Sequence, residues 1–283
     1  MDWVTRMNRA LDYIEEHLTE ETHYDAISRA ALTSAYHFPR MFAAVTDLTL
    51  SEYIRRRRLS MAARDLSCGD QVINVAVKYG YESADAFARA FYRQHGILPT
   101  KARTGGVQFT YYPRLSFQLK LQGDLPMNYH LEELDALRVV GRRFTVDTKH
   151  AFSIVPGIWQ REMAGGFLPK LIEMSWEKPK CKLESLLGII GDKPRIDDET
   201  FDYIIAVRYE GELPEGMEEW TLPAVTWAVF PDVENSWKRF FSEWLPNSGF
   251  DLYDAPIIEC HYAPDHEPAS ELWVPVIQKK DAC

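Results

Sequence analysis

Ser34, Phe38, Arg40 and Phe42 recur 49 residues later as Ser83, Phe87, Arg89 and Phe91. In each copy the serine can cap a helix, and two phenylalanines four apart share its buried face. The arginine between them points the other way. An outward arginine on a helix lying in a DNA major groove can make paired bonds to guanine O6 and N7. A single such arginine is better explained as a solvated charge on an amphipathic helix. The repetition of cap, apolar pair and arginine together favours a pair of reading helices.

The second group that could do chemistry is a carboxylate. In a strand over Pro256–Tyr262, Ile257, Glu259 and His261 share one face and Ile258, Cys260 and Tyr262 the other. Either way a charged or polar side chain falls among apolar neighbours. The residues alone favour an exposed glutamate on an edge strand.

The elements that must position these groups fall into two kinds. Residues 1–105 read as all helix. Val4, Met7, Leu11, Ile14 and Leu18 keep the spacing of one helical face, a short helix covers His23–Ala31, and a third starts at Ser34. A longer helix follows the Thr49-x-x-Glu52 capping box and carries Arg55–Arg58. Short helices surround Val72–Lys78 and Ser83–His95.

After Gly105-Gly106 the pattern turns to strands. Residues 106–125, including Gln108–Tyr112 and Ser116–Leu121, are expected to form connecting strands. From 126 to 283 the order strand, helix, strand, strand occurs twice. The first copy runs through Leu137–Val146, Phe152–Trp176, Leu186–Ile190 and Asp202–Tyr209. The second runs through Leu222–Phe230, Val233–Leu245, Pro256–Tyr262 and Glu271–Ile277. The fold class is therefore α+β in two domains.

Composition bounds function more loosely. Residues 1–105 carry 14 Lys/Arg and 13 Asp/Glu, a net +1, and the remainder carries 18 and 29, a net −11. DNA contact must then come from local basic surface in the first part. The four cysteines, Cys68, Cys181, Cys260 and Cys283, form no C-x-x-C pair. That argues against a zinc site or disulfide framework and fits a reducing cytosol. No cofactor, metal or membrane span is expected, and the N-terminus does not read as a secretion signal, so the expected location is the cytoplasm.

Tyr36-His37-Phe38-Pro39-Arg40-Met41-Phe42 and Ser51–Arg58 resemble the AraC/XylS transcription regulators. So do Ala76, Gly80-Tyr81, Ser83, Phe87-x-Arg89-x-Phe91 and Gly96-x-x-Pro99. The resemblance implies two helix-turn-helix units joined by the Arg-rich helix, set into successive major-groove segments. By position it makes Tyr36, Pro39 and Arg40 base readers in the first unit, and Ala84, Asp85, Ala88 and Arg89 in the second. Arg55 and Arg58 are expected phosphate contacts. Pro39 departs from the family, where a polar residue is usual. If Ser34 caps the helix, Pro39 lies just past its first turn and removes a backbone hydrogen bond, so reading by the first helix is expected to be weakened.

A second resemblance covers most of residues 110–279. Tyr112–Phe117, Val139-Val140-Gly141, Trp244-Leu245-Pro246-x-Ser248-Gly249, Pro256-x-x-Glu259-x-x-Tyr262 and Glu271–Val276 are similar to the GyrI-like effector domains. That family's fold is a duplicated β-α-β-β unit with a pseudo-two-fold cleft. The resemblance implies that Glu259 is the cleft glutamate that faces aromatic residues and holds cationic or amphipathic molecules, since a desolvated carboxylate favours a cation and aromatic faces add to the attraction. The candidate aromatics are Trp159, Tyr203, Trp227, Tyr262 and Trp273.

Together these imply a transcription regulator with double-stranded DNA, a small-molecule effector and RNA polymerase as partners, and no catalytic residues. The alternative is a hydrolase of strained electrophiles fused to a DNA-binding domain, in which Glu259 activates water and Tyr262 or His261 assists.

Overall fold

The computed structural model describes residues 3–33, 35, 37–104, 106–118, 126–176, 182–191 and 200–279. The chain divides into two compact units, Met1–Ala35 with Leu48–Leu119, and Tyr36–Asp47 with Lys120–Cys283. The division differs from a boundary at Gly105-Gly106 in two respects: residues 36–47 group with the second unit, and the first unit runs on to Leu119.

In the first unit, helix α1 (Trp3–Glu16) buries Trp3, Met7, Ala10, Leu11 and Ile14 along one face. Helix α2 is Tyr24–Ala30. Helix α4 (Leu50–Ser67) starts where Thr49 Oγ1 accepts from the Glu52 amide at 3.1 Å, the expected cap. Helices α5 (Val72–Lys78), α6 (Ala84–His95) and α7 (Pro99–Ala102) follow. Ser83 Oγ caps α6 by accepting from the Ala86 amide, and Gly96 ends it in the left-handed region at φ +71°. Phe87 and Phe91 of α6 join Leu59, Ala62 and Leu66 of α4 and Val75 and Ala76 of α5 in one core.

One expectation is corrected in this unit. Residues 107–118 form no strand, although Gln108–Tyr112 and Ser116–Leu121 alternate in character; residues 119–121 lie outside the described residues. Side chains satisfy their backbone instead. Ser60 Oγ accepts from the Tyr112 amide at 3.0 Å, and Asn8 takes both the amide and the carbonyl of Phe117 at 2.9 Å. On the Arg-rich helix one guanidinium is turned inward. Arg57 is buried, its guanidinium paired with both oxygens of Glu15 at 2.8 and 2.7 Å and donating to the Tyr112 carbonyl at 2.6 Å.

The second unit begins with α3 (His37–Thr46). Because α3 starts at His37, Pro39 lies in its first turn, where amide groups have no intrahelical partner. The expected loss of a helical hydrogen bond therefore does not arise. Ser34, its expected cap, lies outside the described residues.

Among the described residues a nine-stranded antiparallel sheet follows. Its strands are β1 (His130–Leu134), β2 (Leu137–Asp147), β3 (Leu186–Ile190), β4 (Thr200–Arg208), β5 (Glu218–Leu222), β6 (Val225–Pro231), β7 (Phe250–Leu252), β8 (Ile257–His261) and β9 (Ser270–Gln278). The spatial order is β1-β6-β9-β8-β3-β4-β2-β5, with β7 beside β9. Its central six strands read as two β-α-β-β copies meeting back to back at the β3–β8 seam. The expected strand Leu222–Phe230 is two, β5 and β6, separated at Pro223-Ala224; proline cannot donate to a ladder.

The expected helix over Phe152–Trp176 is also two, α8 (Ala151–Ala164) and α9 (Phe167–Trp176), broken at Gly165-Gly166, where Gly166 has φ +81°. The second copy supplies α10 (Val233–Arg239), a π-helical turn over Phe240–Trp244 and a last turn α11 (Leu245–Asn247). Leu187, Ile189, Ile204, Ala206, Val229, Ile258 and Cys260 fill a core on one side of the sheet.

Candidate functional site

Glu259 stands at the seam of the two copies, on β8, directly opposite Gly188 on β3. The pleat turns it away from the face of Ile258 and Cys260, so it enters a side of the sheet where a carboxylate must find its own partners. It finds two. Tyr203 of β4 donates its hydroxyl to Oε2 at 2.8 Å, and Trp237 of α10 donates its indole N–H to Oε1 at 2.8 Å. Trp159 of α8 donates in turn to the Tyr203 oxygen at 2.9 Å. One indole from the helical segment of each copy is thus tied to a single carboxylate, Trp237 directly and Trp159 through the Tyr203 hydroxyl.

Gly188 makes this geometry possible. A Cβ at that position would lie 2.1 Å from the Tyr203 hydroxyl and 3.1 Å from Glu259 Oε2. Any larger residue would displace the tyrosine from the carboxylate.

The electrostatics follow from burial. The Glu259 side chain is 13% exposed. Loss of water pushes its pKa up, and the bonds from Trp237 and Tyr203 oppose that push. Burial and the neighbouring carboxylate push the Tyr203 hydroxyl well above its usual range, so it stays a neutral donor. His261, on the same face of β8, has Nε2 4.0 Å from Glu259 Oε2 and packs edge-on against Trp159. Burial lowers its pKa to about 4, so it is uncharged at neutral pH and forms no ion pair with Glu259 despite the short distance. The arrangement is a buried carboxyl group in an aromatic surround, among the described residues paired with no arginine or lysine.

Of the six effector-site candidates, the structure brings together Glu259, Trp159 and Tyr203. Trp227, Tyr262 and Trp273 lie on the opposite face. Trp227 and Trp273 belong to the core there, and Tyr262 and Trp273 both donate to Glu271 Oε2, at 2.6 and 3.0 Å. They are corrected out of the site for a simple reason: strand parity separates Tyr262 from Glu259, and the pairing of Ile258 with Trp273 carries the latter with it. Trp237 and Gly188 were missed. Trp237 reads in the sequence as one member of an apolar stripe with Phe240, Phe241 and Trp244, and only its indole N–H signals that it needs an acceptor.

The DNA-reading candidates also divide. On α6, Asp85 and Arg89 are exposed and Ala84 and Ala88 half-buried, opposite the buried Phe87 and Phe91. On α3, Pro39 is buried, and the Arg40 guanidinium lies 4.9 Å from the ring centre of Phe201; Tyr36 lies outside the described residues. Arg55 is half-exposed, 4.0 Å from Glu52. Arg58 is turned inward, donating to the carbonyls of Leu18 at 2.7 Å and Glu20 at 2.6 Å. Its expected phosphate contact is corrected accordingly: the guanidinium holds the chain that follows α1.

Residues 127–277 match the family described as GyrI-like small molecule binding domain, and residues 27–105 match a helix-turn-helix domain. The regulatory protein SoxS of Salmonella typhimurium is 34% identical over 94 residues, which are 33% of this chain and 88% of that protein. The transcriptional activator AarP of Providencia stuartii is 36% identical over 98 residues, 34% of this chain and 73% of that protein. Among solved structures, a bacterial transcription regulation protein from Staphylococcus aureus MU50 is 22% identical with a TM-score of 0.42, covering 53% of this chain and 99% of that one.

Proposed function

The chain belongs to the GyrI-like small-molecule-binding family and carries an AraC-type helix-turn-helix domain, a DNA-binding transcription regulator, and we propose that its effector is a hydrophobic cation received by Glu259. The observation that carries this reading is the desolvated carboxylate clamped between Trp237 and the Tyr203–Trp159 pair, with His261 neutral beside it. A cation entering there would meet the ionised carboxylate in a low-dielectric setting, with aromatic side chains around it to add to the attraction. Nothing in the site or among the relatives favours the hydrolytic alternative. RNA polymerase is a further partner in this reading, supported by the likeness to a protein described as an activator.

The test pairs a charged probe with a neutral one. Tetraphenylphosphonium, a large monocation with no hydrogen-bond donor, is expected to bind the full chain at one site in calorimetry at neutral pH. Triphenylphosphine oxide is expected to bind at least about tenfold more weakly, about 1.4 kcal/mol. Equal affinities would mean an apolar pocket indifferent to charge.

On the DNA side, Arg89 is the arginine best placed to read bases, being exposed on the outward face of a capped helix. Arg89→Ala is expected to cost about 1–2 kcal/mol on a duplex selected by the full chain, and less on random duplex. Equal losses on both, in a fluorescence anisotropy titration, would assign Arg89 to phosphate contact instead.

A further inference from the structure

Helix α3 is held inside the second unit by contacts at both of its ends. His37 at its start is buried and donates from Nε2 to the Tyr253 carbonyl at 2.9 Å. Arg40 one turn on stacks over Phe201. Asp47, just past its end, pairs with Lys238 at 3.4 Å. Between these points α3 packs against α10 and the π-helical turn at Phe240–Trp244. Arg40 is the residue the first reading helix would offer to a base.

Two of these anchors lie on the elements that grip Glu259. Phe201 and Tyr203 are two apart on β4 and so share a face. One stacks under Arg40 and the other donates to Glu259. Trp237 and Lys238 are consecutive on α10; one donates to Glu259 and the other pairs with Asp47. The same α10 leads into the π-helical turn against which α3 rests, and π-helical turns are rare and recur at functional sites.

We propose that α3 is shared between two partners, DNA and the Phe201 face of its own unit, and that a cation at Glu259 shifts it toward DNA. The proposal rests on the reading of Glu259 as the effector's receptor. A ligand that takes over the carboxylate competes with the bonds from Tyr203 and Trp237, and therefore moves β4 and α10 where they hold Arg40 and Asp47. Such a ligand has different contacts in the two states, which is what a shift in population requires. Without it, the chain grips DNA through α6 while α3 stays docked, and its apparent affinity for the two-helix mode is the intrinsic one multiplied by the fraction of molecules in which α3 is free.

Hydroxyl-radical footprinting of the full chain on a duplex selected from a random pool tests this. Without ligand, the subsite read by α6 is expected to be protected and its neighbour open. Saturating tetraphenylphosphonium is expected to protect both and to raise affinity about tenfold. Phe201→Leu, which keeps an apolar side chain but removes the ring beneath Arg40, is expected to protect both subsites with no ligand. The proposal is overturned if ligand-free wild type protects both subsites equally, if bound phosphonium leaves the footprint unchanged, or if Phe201→Leu leaves the second subsite open. Calorimetry separates the two readings: if phosphonium does not bind, the receptor reading fails, while the Phe201→Leu footprint still decides whether α3 is docked.

Discussion

Glu259→Gln is expected to weaken tetraphenylphosphonium binding by about thirtyfold to a hundredfold, or about 2–2.7 kcal/mol, and to leave triphenylphosphine oxide nearly unaffected. Glutamine keeps the length and planarity of the side chain and removes its charge. It also puts an NH2 donor where one of the two accepting oxygens stood, so either Tyr203 or Trp237 loses its present acceptor. The neutral probe accounts for that rearrangement, because a mere change of shape would weaken both ligands alike. Calorimetry on wild type and variant supplies the comparison. The same drop for both probes would assign the effect to packing.

Arg57→Ala is expected to lower the free energy of unfolding by about 3–5 kcal/mol, the cost of removing one partner of a buried pair. The Arg57 side chain is 5% exposed and that of Glu15 18%. Glu15 also accepts from the Tyr53 hydroxyl at 2.9 Å. Without the guanidinium, the Glu15 carboxylate and the Tyr112 carbonyl lose their charged donor, and residues 107–118 lose an anchor on α4. Urea denaturation followed by circular dichroism reads the loss. A change under about 1 kcal/mol would show that the pair contributes no more than a surface salt bridge does.

Much of this architecture is legible before any coordinates, for local reasons. The caps at Thr49 and Ser83, the buried phenylalanine pairs and the glycine after α6 are set by residues within a turn of one another. The two β-α-β-β copies announce themselves through period-two runs and helix-length intervals. Glu259 is the one carboxylate in an apolar strand whose other face is wholly apolar up to Tyr262. Strand parity, also local, already places Tyr262 on the face away from it, whereas Trp227 and Trp273 are placed by strand pairing.

What could not be read depends on contacts distant in sequence. Trp237 looks like core until its N–H is seen to reach Glu259, 22 positions away. Gly188 matters because β3 pairs with β8, which brings an empty Cβ position opposite the carboxylate. Among the four consecutive arginines, helical geometry says they diverge but not where each lands. Arg57 meets Glu15, 42 positions away, and Arg58 meets carbonyls 40 and 38 positions away. Pro39 is misjudged because α3 begins two residues later than a cap at Ser34 implies.

Cation binding at this site requires an ionised Glu259, so the most direct measurement is the phosphonium affinity of the full chain as a function of pH. Tetraphenylphosphonium does not titrate, and His261, already neutral down to about pH 4, adds no competing charge above that. Burial raises the Glu259 pKa, so the proton that silences the carboxylate binds at a higher pH than for an exposed glutamate. Affinity is predicted to be flat on the alkaline side, then to fall about tenfold per pH unit below the raised pKa, as one-proton linkage requires. In Glu259→Gln the profile is predicted to be flat throughout. A wild-type affinity independent of pH across the carboxylate range, or the same fall in the Gln variant, would contradict the claim that Glu259 is the receptor.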